Sequence, residues 1–445
     1  MTVTAILRQW EGHRRTFMLA LPMILSNVTI PLLGLVDTAV IGHLSDAYYL
    51  GGVAVGAMII TFLFWILGFL RMATTGLVAQ SFGAGDALGQ LRVLFQAGVM
   101  ALGLAALLLL LQAPILSTAL TLVGGSSEVQ HYAAVYFEVR IWSAPAALLN
   151  LVLLGYLLGR QNPRAAMWLL LCTNGVNIAL DLLFVVGFGW GVAGAAGASV
   201  IADYGALLLA LALVWHSLPD ELRQRAILAQ LSLQGSGRLL ALNRDIFIRT
   251  LCLQLCMAFV TAQGARLGDA VVAANSVLMN FTLLMAYALD GFAYAAEAEV
   301  GRSSGARDRD GIRRAVVLGG FWSALTALAF TLVFAGAGEG IIAMLTSIDS
   351  VRSTAAEYLP WVVIYPLLAF TCFLFDGVYI GAARGAAMRN SMLCSALGFF
   401  ALWWLVRDAL PGNHALWLAF CGFITLRSLS LSGHFLWSWR RGQWG

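Results

Sequence analysis

The sequence predicts an all-α polytopic membrane protein with 12 transmembrane helices, arranged as two pseudo-symmetric six-helix bundles around a central cleft. Three observations lead there. Of 445 residues, 60% are hydrophobic and only 11% are charged, whereas soluble domains carry roughly 25% charged residues. Apolar runs of about 20 residues recur along the whole chain, each long enough to cross a bilayer. The basic residues, all of them arginine, fall mainly in alternate gaps between those runs.

In the first half the runs lie near 16–41, 51–79, 93–115, 132–158, 165–187 and 191–215. In the second they lie near 246–265, 271–299, 315–338, 357–383, 390–406 and 415–436. Even-numbered gaps and both ends are arginine-rich: Arg92, Arg160 and Arg164, the central loop counted through Arg249, then Arg302 to Arg314, Arg384 and Arg389. The odd gaps hold only Arg266, Arg352 and Arg407. Arginine excess marks the cytoplasmic side, so both termini and the central loop are expected there. The N-terminus reads as a first membrane helix with a basic flank, not a cleaved signal. A multi-pass protein of a bacterial cytoplasmic (inner) membrane follows as the expectation.

The longest polar stretch divides the chain into a bundle at 1–215, a linker at 216–245 and a bundle at 246–445. The halves carry a weak repeat. "LSDAYYLGGVAV…FGAGD" from Leu44 to Asp86 resembles "LGDAVVAANSV…SGARD" from Leu267 to Asp308. Gly155 and Gly159 then align with Gly377 and Gly381. Both halves start on the same side, so the repeats are parallel, a design suited to alternating access around a cavity between bundles.

Few ionisable residues lie within the spans. Asp37 sits in span 1, where a carboxylate costs about 2.5–3.5 kcal/mol on insertion scales. Pro22 and Pro31 in the same span favour bending and are the candidate hinge. Span 5, "TNGVNIALDLLF", puts Asn174, Asn177 and Asp181 on one helical face. Span 6 carries Ser199 and Asp203 four apart among small residues, and Tyr136 stands near the outer start of span 4. At about 1.5 Å per residue, Asn177 and Asp181 reach roughly 18 and 24 Å from the cytoplasmic start, Asp37 roughly 31 Å, and Ser199 roughly 12 Å below the outer face. Close carboxylates with no neighbouring cation raise one another's pKa and share a proton or hold a metal ion. Asp37, Asp181, Asn177 and Asn174 are therefore the candidate cation-coupling group, with Tyr136, Ser199 and Asp203 lining its cavity.

The repeat supplies a control. Asn174, Asn177 and Asp181 fall opposite Ala396, Phe399 and Trp403, so the fold itself does not require the polar face. The second half has its own acids, Asp290 and Glu297 in span 8 and Asp376 in span 10. They are secondary candidates that could equally pair with Arg384 or Arg71. Arg140 and Arg427 read as pairing or snorkelling residues.

The six cysteines lie in apolar spans without CxxC spacing and read as packing residues, with neither disulfide nor zinc site expected. No HExxH or phosphate-binding loop occurs, which argues against an enzyme. No cofactor is expected beyond a coupling proton, or Na+ in its place. The expected surroundings are a lipid bilayer and drug-like small molecules, with no nucleic acid, for a protein acting as a monomer.

Several stretches carry a family likeness: "ALPMILSNVTIPLLGLVDTAVIGHL", "APAALLNLVLLGYLLGRQN", "NIALDLLF", "LLALNRDIFIRTLCLQLC", "YALDGFAYAAEA" and "FDGVYIGAARGAAMRNSM". With them the chain resembles the multidrug and toxic compound extrusion (MATE) transporters, DinF-type branch. The resemblance implies export of amphipathic or cationic compounds driven by inward proton or sodium flow. It also implies Asp37 as the coupling acid, with Asn177, Asp181, Tyr136 and Ser199 in the same N-terminal cavity and Asp376 on the family's span 10 acid. Span 7 departs from the NorM-type branch, offering Gln254 and Gln263 but no carboxylate. That favours protons over a sodium site in the second bundle. A lipid-linked saccharide flippase of the same superfamily is the sister reading, disfavoured by the scarcity of arginine in the spans.

Overall fold

A computed structural model describes residues 2–41, 47–218 and 232–444, with the backbone alone at 32, 34, 35, 37–41 and 47. Every regular element among them is helical. In order these are α1 (Val3–Leu7), α2 (Trp10–Ile41), α3 (Ala47–Ile66), α4 (Phe69–Gly83), α5 (Ala87–Leu110), α6 (Gln112–Val123), α7 (Ser127–Arg140), α8 (Ala144–Gly159), α9 (Pro163–Asp181) and α10 (Gly191–Ser217). After the central segment come α11 (Gly237–Arg266), α12 (Asp269–Gly305), α13 (Arg309–Leu345), α14 (Asp349–Gly381), α15 (Gly385–Val406) and α16 (Gly412–Arg440).

Among the described residues, 10 stretches are long and apolar enough to cross a membrane. Trp10–Ile41 and Gly385–Val406 stand at the two remaining expected places, spans 1 and 11. Two expected spans are divided. Span 4 changes to a short 3-10 turn at Ile141–Ser143 because Pro145, in the first turn of α8, has no N–H to continue the ladder. Span 2 breaks before Phe69, where α4 begins. α6, a short apolar helix beyond span 3, is not signalled by the hydropathy runs.

The repeat is visible in backbone geometry. The turn after α4 has Asp86 N–H donating to Ser81 O (2.9 Å), and its counterpart has Asp308 N–H donating to Ser303 O (2.8 Å). Each of these aspartates then caps the next helix, accepting from Gly89 N at 2.7 Å and from Gly311 N at 2.8 Å. The turns after α8 and α14 also match, with Gln161 and Ala383 both left-handed at φ 59° and 52°. In each, a six-residue closing bond forms, Asn162 to Leu157 and Arg384 to Tyr379.

The aligned glycines explain how the helices pack. A Cβ on Gly155 would lie 2.6 Å from Arg71 O, and one on Gly159 would lie 2.8 Å from Thr75 O. On Gly377 and Gly381 it would lie 2.1 Å from Ala293 O and 2.3 Å from Glu297 O. Span 4 thus presses its bare backbone on span 2, and span 10 presses on span 8, the small-residue packing of membrane helices.

Contacts divide the chain into two compact units, Leu25–Leu240 and Met1–Ile24 with Ala241–Gly445. One division falls inside α2, and the other, between Leu240 and Ala241, falls at the start of α11 and within the 216–245 stretch expected as the linker. In the second unit, Leu19 and Ala20 pack with Phe292 and Ala295, flanked by Ile24 and Trp322. Trp322 Nε1 can only donate, and it does so to His13 Nδ1 at 3.0 Å. The His13 Nε2 therefore carries its proton and donates to Leu7 O at 2.9 Å.

Candidate functional site

The polar face expected on span 5 forms within the Leu25–Leu240 unit. Asn174 Nδ2 donates to Thr29 Oγ1 at 2.7 Å, and Asn177 Nδ2 donates to Ser199 Oγ at 3.1 Å. These bonds tie α9 to α2 on one side and to α10 on the other. Asp181 closes α9 and is 2% exposed, with Asn177 at 7% and Ser199 at 6%. Directly after Asp181 the chain runs as a π-helix over Leu182–Gly187, a distortion that recurs at functional sites. Asn177 Oδ1 is buried with no hydrogen-bond partner among the described residues.

Asp37 lies in α2, and its side chain is outside the described residues. Its backbone level follows from the helix rise. From the Thr29–Asn174 bond, α2 climbs about 12 Å to Asp37 and α9 about 10 Å to Asp181, taking 1.5 Å per residue. The preceding residue, Val36, packs on an apolar cluster that contains Tyr136, Val185 and Val192. Tyr136 is therefore a buried member of the wall just beyond Asp181. Pro22 and Pro31 both lie within the uninterrupted helix α2.

Asp203 belongs to a different group. It accepts from Arg140 Nη1 at 2.7 Å, its backbone O accepts from Asn150 Nδ2 at 2.9 Å, and Arg140 also reaches the Ser143 hydroxyl. This ion pair with Arg140 sets Asp203 apart from the Asn174–Asp181 face, where Asn174 and Asn177 donate to hydroxyls.

In the second unit Asp376 accepts from Arg427 Nη2 at 2.8 Å and from Arg249 Nη2. For Asp376 these two arginines stand in place of the expected partner Arg384 or Arg71. Arg384 instead reaches Gln443 O and lies over the Trp444 ring at 4.2 Å. The count that put Arg249 in the central loop is corrected as well, since Arg249 is a buried residue of α11. Two cations around one carboxylate leave an excess positive charge, the reverse of what a cation site needs. Glu297 is 1% exposed in α12, where Asp290 lies two turns earlier and is half-buried.

The place in the second unit equivalent to the Asn174–Asp181 face is aromatic. Phe399 and Phe400 meet Phe259 at 5.7 and 5.1 Å between centroids, and Trp403 meets it at 5.9 Å. Edge-on rings fill the space that amides and a carboxylate occupy in the first unit. Sequence reading missed Thr29 and Arg249. Thr29 was legible as a hydroxyl two turns before Asp37, and Arg249 as an arginine inside a run of apolar residues. Of the cysteines, Cys256, Cys372 and Cys421 are buried, but Cys172 and Cys394 are exposed on apolar helix surfaces rather than packed inside. Among the described residues no cluster of three or more His, Cys, Asp or Glu could hold a metal ion.

The family model described as MatE matches residues 22–183 and 246–404, taking in both halves of the repeat. The DNA damage-inducible protein F of Escherichia coli (strain K12) is 49% identical over 430 residues, covering 96% of this chain and 92% of its own. A probable multidrug resistance protein NorM of Deinococcus radiodurans is 27% identical over 452 residues, with 97% and 96% covered. A solved structure described as the outward-facing conformation of a multidrug resistance MATE family transporter superposes with a TM-score of 0.85, over 99% of this chain and 98% of that one. Its 18% identity makes that likeness one of fold alone. The matched family model, the half-identical relative and the paired six-span halves lead to one conclusion: the chain belongs to the MatE family, the multidrug and toxic compound extrusion transporters.

Proposed function

We propose that the protein is a secondary active antiporter that exports amphipathic, often cationic organic compounds in exchange for protons. Asp37 and Asp181 take up the coupling proton, and Asn174, Asn177 and Ser199 adjust around them. The observation that carries this reading is the seam Thr29–Asn174 and Asn177–Ser199, which leads along α9 to a carboxylate buried where the helix changes to a π-turn. Relatives described as multidrug resistance proteins support the class of cargo.

Protonation of the pair from outside removes charge from a low-dielectric site and lets the amide and hydroxyl bonds re-form in a second arrangement. Release of the proton inside restores the charged form that attracts a cationic compound. Coupling requires proton and cargo to favour different states of the same site. The arginine distribution supports a bacterial inner membrane with both termini in the cytoplasm.

The test is efflux of a fluorescent cationic dye from proteoliposomes, with proton and sodium gradients imposed separately. Transport driven by the proton gradient and absent in Asp37→Asn is the expected result. Transport driven only by sodium would move the coupling ion to Na+ at the same residues. Full activity of Asp37→Asn would remove that residue from the mechanism. A second reading, movement of a lipid-linked saccharide, draws on the excess cation of Arg249–Asp376–Arg427. Translocation of a pyrophosphate-linked lipid in those liposomes, with no dye efflux, would favour it.

A further inference from the structure

A cavity of about 560 Å³ opens in the unit formed by residues 1–24 and 241–445, within the size range of small-ligand pockets. The first turns of α2, with Gln9 before them, form one wall, and the end of α12 with the start of α13 forms the other. Three arginines line it, Arg15, Arg302 and Arg314, against two acids, Glu11 and Glu299. Glu299 is already taken, accepting from Arg15 Nε at 2.5 Å and from Arg302 Nη2 at 3.3 Å. Among the described residues, the buried Nε of Arg302 and that of Arg314 have no hydrogen-bond partner. Two guanidinium groups in one cavity are thus unsaturated, and a buried polar group without a partner is costly.

The repeat shows what can fill such a place. Gln80 and Gln96 of the first half align with Arg302 and Leu318. There Gln96 Nε2 donates to the carbonyls of Ser232 and Gln234 at 3.0 and 3.1 Å, and Arg238 donates to Gln80 at 2.5 Å. In that half the chain at 232–238 supplies the polar partners of these residues. In the other the space is open and edged with guanidinium, and Trp10, 76% exposed, stands at its rim.

We propose that this cavity is a binding site for a phosphate-ester anion, either the headgroup of an anionic phospholipid or free phosphate, held chiefly by Arg314 and Arg302. Guanidinium matches phosphate oxygens in a planar, two-bond fork. Arginines close to a membrane surface meet such headgroups directly, and an exposed tryptophan beside them suits the interfacial layer. The site is built from residues other than those of the Asn177–Asp181 face and does not depend on the transport reading.

The test uses the full-length protein in detergent, titrated separately with dioleoyl phosphatidylglycerol, dioleoyl phosphatidylcholine and inorganic phosphate. Melting temperature against ligand concentration gives the affinity. A rise with phosphatidylglycerol that phosphatidylcholine and phosphate do not produce identifies the lipid headgroup, and an equal rise with phosphate identifies the free anion. Arg314→Gln is expected to weaken binding about tenfold, the loss of one charged hydrogen bond. Arg313→Gln, next in the chain and outside the lining, is expected to leave it unchanged. Should Arg314→Gln fail to fold, Arg302→Gln takes its place. No shift with any anion, or equal losses in Arg313→Gln and Arg314→Gln, would overturn the proposal.

Discussion

Two carboxylates in membrane helices show how surroundings separate roles that residue type alone leaves merged. Asp376 is held by Arg249 and Arg427, so removing its charge strands two buried cations. Asp376→Asn is therefore expected to lose about 3–5 kcal/mol of stability, the usual consequence of breaking a buried pair from one side, read as a lower melting temperature. Asp181, at the end of the Asn174–Asn177 face, is expected to behave in the opposite way. Asp181→Asn should keep the melting temperature of the parent while proton-driven efflux falls to background. An unchanged efflux rate would remove Asp181 from the coupling group. Ser199 is an intermediate case: Ser199→Ala takes away the acceptor of Asn177 and should cost about 1–3 kcal/mol of stability, with Ser199→Thr tolerated better.

Between elements, the bare faces of glycines set the spacing of helices. Gly377 and Gly381 face backbone carbonyls of α12, which cannot swing aside as a flexible side chain would. Gly377→Ala and Gly381→Ala are expected to push α14 off α12 and lower stability by about 1–3 kcal/mol, the penalty of overpacking. Gly103 in α5 meets nothing within 4 Å. Gly103→Ala should therefore stabilise by about 1 kcal/mol through helix propensity alone. Thermal melts of the three variants side by side check the contrast, and equal effects would refute the close-approach account.

Over the whole molecule, the two halves share turns, caps and glycine contacts yet differ in what fills them. Residues 1–24 belong to the compact unit otherwise made of 241–445, while 25–240 reach past the central loop into α11. Each half of the sequence therefore lends its lead-in segment to the other unit. Residues 1–218 and 232–445 expressed separately are expected to be degraded, and co-expressed to be recovered together. Stable accumulation of either half alone, measured by membrane immunoblot, would contradict that division.

Most of the fold was legible in the sequence because a bilayer leaves few choices. Backbone groups must be satisfied internally, so apolar runs become helices. The candidate face was legible for a similar reason: Asn174, Asn177 and Asp181 recur at helical spacing in a place where polar groups are expensive. Partners across space were not legible. Thr29 with Asn174, Arg249 with Asp376 and Arg140 with Asp203 are each joined by packing between helices far apart in sequence. No local period encodes such a pair. The sequence by itself determined which runs become membrane-length helices and which of their faces are polar, since these depend on each residue's own affinity for lipid or water. Only the tertiary structure decided which carboxylates meet guanidinium and which meet amides and hydroxyls, since that depends on which helix faces are brought into contact.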